Sequence, residues 1–307
     1  MLKKFTFRKF AISSLLLLLA FILYNYPEEI NTSKQNDNAS SFINVYLIDR
    51  NDLVSLTKIK SVGENTNDYI KSIINSLIIG NNDEIPNGFS AIIPKGTMLI
   101  EFVLENNLLK LNFSKEFLNV SYDDEEKMIE AIIYSLTTLP GVENIMIFVE
   151  NNLLLELPNS HKKLDPYLNK SFGINKVVDI STFKNTQNVT VYYLSKNINY
   201  YYIPVTYITD NDLDKIEIII NSLKSNKFNS SNLLSHLDYQ VELMNYEADE
   251  NFFLLNFNNV FLNNIYDGQL KEEVKYALSY SIIDTFGVEN VVFQVNSQKI
   301  DEFILEK

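Results

Sequence analysis

The sequence predicts an α+β protein that contains two copies of one domain, each a mixed-strand sheet with two helices on one face, preceded by a single N-terminal transmembrane helix. Three observations support this. Motifs recur at a fixed distance, short alternating segments interchange with amphipathic ones, and one apolar run follows the first basic residues. The length of 307 residues is sufficient for two domains with apolar cores.

Composition excludes several functional classes. The chain has no cysteine, which excludes disulfides, thiolate metal sites and a lipid-modified N-terminal Cys. Its formal net charge of −13 argues against nucleic-acid binding, because phosphate contacts need clustered Lys and Arg. It contains only eight glycines, and no nucleotide-binding, metalloprotease or serine-hydrolase motif occurs.

The N-terminus predicts a membrane anchor. Cations at positions 3, 4, 8 and 9 precede the apolar run Phe10–Tyr26, which as a helix is about 25 Å long and can span a bilayer if its ends snorkel. Residues 1–26 are therefore expected to comprise a cytoplasmic basic segment and a single-pass anchor, with the bulk of the chain extracytoplasmic. Residues 27–41 are expected to form a polar tether. A cleaved signal peptide is the alternative, but no A-x-A site follows the run.

The exported part contains the same domain twice. Ile74-Asn75-Ser76-Leu77 returns as Ile220-Asn221-Ser222-Leu223, and Gly141-Val142-Glu143-Asn144 returns as Gly287-Val288-Glu289-Asn290, each 146 residues later. Leu111-Asn112-Phe113 returns as Leu255-Asn256-Phe257 after 144 residues, which indicates a two-residue difference in one loop. The predicted domains are 42–157 and 188–303, and the segment 158–187, which does not repeat, is interpreted as the connector.

Each copy is predicted to run strand, strand, helix, strand, strand, helix, strand. The strands expected in the first copy are Asn44–Asp49, Val54–Val62, Met98–Leu104, Leu108–Phe113 and Ile145–Val149. Apolar residues between Tyr69 and Ile78 recur at helical spacing, and Gly80 is expected to end that helix at C′. The second helix is expected to begin in the acidic cluster Asp123–Glu126, which favours the helix dipole, and to end before Pro140.

Candidate metal or acid–base residues are few. His161 and His236 have no counterpart in the other copy, so a site shared by both domains is not expected. Asp123–Glu126 could hold a divalent ion, but a helix N-terminus explains the cluster without one. The sequence therefore predicts no catalytic, cofactor or metal residues.

Asp210, Asp212 and Asp214 resemble the start of an EF-hand loop. Lys215 and Asn221 occupy the positions of its glycine and its bidentate glutamate, so we interpret the three acids as caps of the following helix.

The stretch Tyr192–Tyr207 is rich in tyrosine and could stack on sugars or peptides. Alternating tyrosines in a hairpin are more often core residues and cross-strand pairs, and that interpretation is favoured here.

The repeated motifs resemble those of the GerMN domain, which occurs in tandem in the GerM family of sporulation and germination proteins. The resemblance covers about residues 42–303. Its motifs are Val45-Tyr46-Leu47, Asn75-Ser76-Leu77-Ile78-Ile79-Gly80, Ile93-Pro94-Lys95-Gly96-Thr97, the run Leu111–Phe117, the helix Ile129–Leu139, Gly141-Val142 and Phe172-Gly173-Ile174-Asn175. The second copy departs from it, with Ser235–Tyr239 in place of Ile93–Thr97.

The resemblance implies a non-enzymatic protein of the envelope of endospore-forming bacteria, related to ring-building folds and to a mother cell–forespore transenvelope complex. The partners expected are envelope or sporulation proteins, a second copy of the chain, and the membrane through the N-terminal helix. The hairpin Met98–Phe113 and the stretch Tyr192–Tyr207 are the candidate contact surfaces. A small-molecule ligand is not favoured, and no cofactor or nucleic acid is expected.

Two other hypotheses remain from the residues themselves. The first is an extracytoplasmic module that binds peptidoglycan or a small germinant in a cleft between the two similar domains. The second is a cell-wall hydrolase, which rests only on the abundance of Asp and Glu.

Overall fold

A computed structural model describes residues 42–61, 63, 65–82, 85–182, 184–197, 199–224 and 232–305, which belong to one compact unit. The predicted anchor and tether, residues 1–41, lie outside the described residues. Within the described ranges, no helix combines the length and the apolar character needed to cross a bilayer.

The first domain follows the predicted order of elements. Its strands are β1 (Phe42–Asp49), β2 (Val54–Lys60), β3 (Phe89–Ser90), β4 (Leu99–Glu105), β5 (Leu108–Phe113), β6 (Asn144–Val149) and β7 (Asn152–Leu153). Its helices are α1 (Thr66–Leu77) and α2 (Glu125–Leu136). Local chemistry sets two of the boundaries. Asn65 caps α1 by accepting the Asp68 N–H at 3.0 Å, and Asn106 and Asn107 have positive φ in the two-residue turn between β4 and β5.

The second domain has the same main elements in the same order, with a longer first hairpin and last strand and an additional two-stranded hairpin. Its strands, preceded by β8 (Val177–Asp179), are β9 (Gln187–Lys196), β10 (Tyr200–Thr209), β11 (Leu243–Ala248), β12 (Phe252–Phe257), β13 (Ile265–Tyr266), β14 (Gln269–Leu270), β15 (Asn290–Val295) and β16 (Gln298–Ile304). Its helices are α3 (Lys215–Lys224) and α4 (Glu272–Phe286), and Gly287 ends α4 in the left-handed conformation.

Apart from β13 and β14, which form a separate two-stranded sheet, the strands of each domain belong to two sheets. Four strands form a mixed sheet, in the order β4-β5-β6-β7 in the first domain and β11-β12-β15-β16 in the second, with one parallel pair in the middle of each. The remaining hairpins, β1-β2 and β9-β10, join across the domain boundary into one sheet in the order β3-β1-β2-β10-β8, with β9 on β10. The α+β prediction with mixed strands is therefore confirmed, but one sheet per domain is replaced by one private and one shared sheet.

One predicted helix boundary is wrong. Helix α1 ends at Leu77, and Ile78 is already extended because it forms a parallel bridge with Ile93, so Gly80 lies in the turn beyond and not at C′.

The segment predicted as a connector packs on both domains. Leu164, Leu168 and Ile174 are buried, and β8 lies parallel to the C-terminal half of β10. The non-repeating segment is therefore an integral part of the fold.

Two apolar cores are present, one for each domain. In each, both helices pack against the first strand of the hairpin, β1 or β9. The last residue of β5 and of β12 forms a stacked aromatic pair with the phenylalanine four residues later: Phe113 with Phe117 at 4.6 Å between ring centroids, and Phe257 with Phe261 at 4.1 Å. The repeated motif Leu-Asn-Phe followed by Phe is thus a core motif.

Truncating the second ring of this pair tests its role. Phe117→Ala removes a fully buried ring, and we expect the free energy of unfolding to fall by about 3–5 kcal/mol. Leu118→Ala is the matched control, because its neighbouring side chain is 40% exposed and should change stability by less than about 1 kcal/mol. Chemical denaturation followed by circular dichroism measures both. Equal losses for the two variants would contradict the assignment.

Candidate functional site at the domain interface

The two domains meet through equivalent strands. β2 and β10 approach antiparallel, with Leu56 opposite Tyr202. The cross-strand pair Asn44–Lys58 of the first hairpin corresponds to the pair Thr190–Thr206 of the second. Antiparallel contact between equivalent strands is the arrangement of a two-fold symmetric interface, so the chain resembles a dimer of domains joined covalently.

Equivalent tyrosines lie on the helix-covered face of this junction. Tyr46 of β1 and Tyr192 of β9 are both buried, and their hydroxyl oxygens are 2.7 Å apart. Each tyrosine donates its backbone N–H to an equivalent serine at 2.8 Å, Ser135 on α2 or Ser281 on α4. These bonds hold each domain's second helix on the first strand of its hairpin.

The two domains differ at one carboxylate, which is present only in the second. The Tyr192 hydroxyl donates to Asp284 of α4, and Lys170 of the connector pairs with the same carboxylate at 2.5 Å. Lys170 also lies 5.6 Å from the centre of the Tyr134 ring and accepts a hydrogen bond from its hydroxyl at its backbone oxygen. One buried polar network therefore joins the first domain, the connector and the second domain.

The electrostatics of this network keep its phenols neutral. Burial, and then the negative charge of Asp284, raise the pKa of both Tyr46 and Tyr192 well above the usual value. The same two causes raise the pKa of Tyr134. Neutral phenol hydroxyls donate hydrogen bonds but cannot act as general bases. We therefore interpret this network as one that stabilises the domain interface.

The acidic residues at the start of α2 bind the connector. Burial opposes ionisation of Glu125, but hydrogen bonds from Ser160 and Asn159 outweigh it and lower the pKa. In Glu130, burial prevails over the contact with Lys176, and the pKa is raised. Both carboxylates accept backbone N–H groups of the connector, from Asn159, Ser160 and Asn175. Glu125, in the predicted acidic cluster, and Glu130 on the next turn therefore anchor the connector.

The structure keeps the other candidate residues apart. His161 is exposed beside Glu156, whereas the ring of His236 contacts Tyr200 at 5.6 Å. Of the three predicted caps, Asp214 accepts the Ile216 N–H at the start of α3, whereas Asp210 binds the N–H groups of Ser181 and Thr182. Among the residues that the structure describes, no group of His, Asp and Glu is arranged to hold a metal ion.

The two predicted contact surfaces differ in accessibility. The stretch Tyr192–Tyr207 forms β9 and β10 and lies largely inside the shared sheet and the cores, in keeping with the favoured structural interpretation. The hairpin Met98–Phe113 ends its sheet with the edge strand β4, and a bulge exposes 51% of Ile100. The equivalent bulge in the edge strand β11 exposes 62% of Met244.

Comparison with known proteins agrees with this architecture. The family described as "Germane: Sporulation and spore germination" matches residues 44–155. The spore germination protein GerM of Bacillus subtilis is 27% identical over 291 residues, 91% of this chain and 78% of that protein. The solved tandem GerMN domains of the same protein superpose with a TM-score of 0.76 at 25% identity, over 85% of this chain and 92% of that one. None of these descriptions names an enzymatic activity.

Removing single hydroxyls tests the network. Tyr192→Phe leaves Asp284 without its phenolic donor, and we expect it to lower the free energy of unfolding by about 1–3 kcal/mol. Tyr46→Phe removes only the hydroxyl that donates to Tyr192, and it should lower the free energy of unfolding by less than Tyr192→Phe does. Tyr266→Phe, at a side chain that is 78% exposed, is the control and should leave stability unchanged. Urea denaturation measures the free energy of unfolding of each variant. A larger loss of stability in Tyr46→Phe than in Tyr192→Phe would contradict the proposed network.

The buried phenols also predict an alkaline transition. Because the folded-state pKa of Tyr46, Tyr134 and Tyr192 lies above the unfolded value, their contribution to stability is complete below about pH 10 and is lost as the pH rises further. The chain has no tryptophan, so absorbance near 295 nm reports tyrosinate cleanly. We expect part of the tyrosine titration to coincide with cooperative loss of circular dichroism. Full titration with the fold intact would contradict this.

Proposed function

We propose that this chain, which is similar to GerM and its tandem GerMN domains, acts in sporulation and germination as a membrane-anchored, extracytoplasmic interaction protein that performs no catalysis. Its role would be to contribute to an assembly that connects the mother cell and the forespore across their envelopes. The basic residues and apolar run of residues 1–26 support anchoring with the bulk of the chain outside the cytoplasm.

The observation that carries the interaction role is the use of polar groups at the domain interface. The buried tyrosines, Asp284 and Glu130 hold domains and connector together, and the two histidines lie in separate places. The features of the surface that could bind a partner are strand edges. The bulged strands β4 and β11 present Ile100 and Met244 at the outer edges of two sheets, where a partner protein or a second copy could pair.

A peptidoglycan- or germinant-binding module is less well supported. That hypothesis depends on exposed tyrosines in the stretch Tyr192–Tyr207, but Tyr192, Tyr193 and Tyr207 are buried. Stacking on a sugar needs an exposed ring face, which these three residues do not provide.

Localisation in the host bacterium tests the proposal. A C-terminal fusion to a fluorescent protein that matures outside the cytoplasm should give a signal that begins after asymmetric division and surrounds the engulfed forespore. A fusion to a chain lacking residues 1–26 is the control and should lose the membrane signal because it lacks the anchor. A uniform envelope signal during ordinary growth would contradict the sporulation role, and a cytoplasmic signal from the full chain would contradict the anchoring.

A further inference from the structure

The connector fills one of two equivalent clefts at the domain interface. Residues 170–176 pass between the second hairpin and helix α2. The Thr206 backbone N–H donates to the Ile174 carbonyl oxygen at 2.8 Å, and the Ile174 N–H donates to the Thr206 hydroxyl oxygen at 3.0 Å. The Asn175 side chain donates to Val54 O and Pro204 O, so it bridges β2 and β10. After a short 3₁₀ turn at Lys170–Phe172, the connector contacts Thr206 and then continues along the same edge of β10 as the parallel strand β8.

Charge pairs hold this internal peptide at both ends. Lys170 pairs with Asp284, and Lys176 pairs with Glu130 at 2.5 Å. Between them, Asn188 donates to the backbone oxygen of Ser171. The walls of the occupied cleft are therefore acidic, and the bound segment is basic.

The pseudo-two-fold axis generates a second cleft on the other side of the junction. It has a volume of about 800 Å³, within the range of protein ligand sites. Five of its lining residues are the repeat equivalents of residues that bind the connector. They are Phe42 for Asn188, Lys58 for Thr206, Thr138 for Asp284, Tyr276 for Glu130 and Tyr280 for Tyr134. Beside it, the edge of β2 from Lys58 onward corresponds to the edge of β10 that the connector covers.

The substitutions between the two clefts indicate a different occupant. Two of the three acidic residues that pair with Lys170 and Lys176, Asp284 and Glu130, are replaced by Thr138 and Tyr276, whereas Glu126 corresponds to Glu272. Exposed Lys58 adds a positive charge, and Lys275 and Glu302 line the same cleft. The wall becomes aromatic. Tyr276 and Tyr280 stack with centroids 5.7 Å apart, and Phe303 stands edge-on to both at 5.4 and 5.5 Å. Phe42, at 63% exposure, lines the same cleft.

We propose that this second cleft binds an extended segment of a partner protein, with apolar side chains against Tyr276, Tyr280 and Phe303 and a carboxylate beside Lys58. The segment runs parallel to β2, as the connector runs parallel to β10. The chain's own connector sequence is a poor occupant, because its lysines would face Thr138 and Tyr276 in place of Asp284 and Glu130, in a cleft that also contains the cation of Lys58. The site gives the interaction role proposed above a partner chemistry, and it is tested separately from localisation.

Two synthetic peptides provide the probe. One has the sequence of residues 169–179, and the other carries Lys170→Glu and Lys176→Glu. Fluorescence anisotropy with the full chain in detergent micelles should show that the glutamate peptide binds about tenfold more tightly than the native one. Lys58→Glu in the protein should remove this preference, because it removes the cation. Lys184→Glu, at an exposed lysine outside the cleft, is the matched control and should leave both affinities unchanged.

Hydrogen exchange in the same samples locates the binding. The amides of residues 58–61 should exchange faster than those of residues 206–209 in the free protein, and they should slow when the glutamate peptide is added. The proposal is overturned if neither peptide binds at about 1 mM, or if binding persists unchanged in Lys58→Glu. It is also overturned if residues 58–61 are already as protected as residues 206–209 without peptide, since the chain would then fill the cleft itself. Each of these results leaves the forespore localisation unaffected.

Discussion

The rest of the structure depends on the antiparallel contact between β2 and β10. β2 is an inner strand only because β10 lies beside it, whereas β10 is flanked on that edge by both β2 and the connector strand β8. Alone, each hairpin would present an open edge to solvent. The contact is short, with one residue pair, Leu56 and Tyr202, in register. Beyond Leu56 the strands are bridged by a side chain. Asn175 accepts from Val54 N and donates to Val54 O and Pro204 O, which satisfies backbone groups that would otherwise be lost at a buried junction. The connector is thus a structural component of the interface.

A symmetric junction of this kind forces the two copies to diverge where they meet. Two tyrosine hydroxyls 2.7 Å apart can share only one proton between them, so one must donate and the other must accept. Because the Tyr192 hydroxyl donates to Asp284, it accepts from Tyr46, and the direction of the chain of bonds is fixed. The equivalent of Asp284 in the first domain is Thr138, so no second carboxylate competes for these protons. Lys170 then compensates the charge of Asp284, which burial alone would make costly.

The difference between what could and could not be predicted from the sequence follows the distinction between local and long-range information. The helices and the β4–β5 hairpin were predictable, because apolar period and the turn residues Asn106 and Asn107 are local signals. The duplication was predictable because repeated motifs retain their register. Which strand edges pair could not be predicted, since the alternation of apolar and polar residues in β2 is the same whether or not another domain covers its edge. The connector was misleading for the opposite reason. Its lack of a repeat suggested a linker, although a segment that breaks a two-fold symmetry can by definition occur only once.

The same symmetry constrains how this protein can bind others. A free domain of this kind could pair through its whole hairpin edge, but here the sister domain occupies part of that edge in β2, so further contacts must use the rest of it and the remaining surfaces. Strands β4 and β11 present related bulges on the two domains, but their exposed residues, Ile100 and Met244, differ. The two clefts differ more, since one contains the connector and the other has Thr138 and Tyr276 in place of Asp284 and Glu130. Internal pairing of the two copies therefore gives one compact unit whose equivalent surfaces are no longer alike.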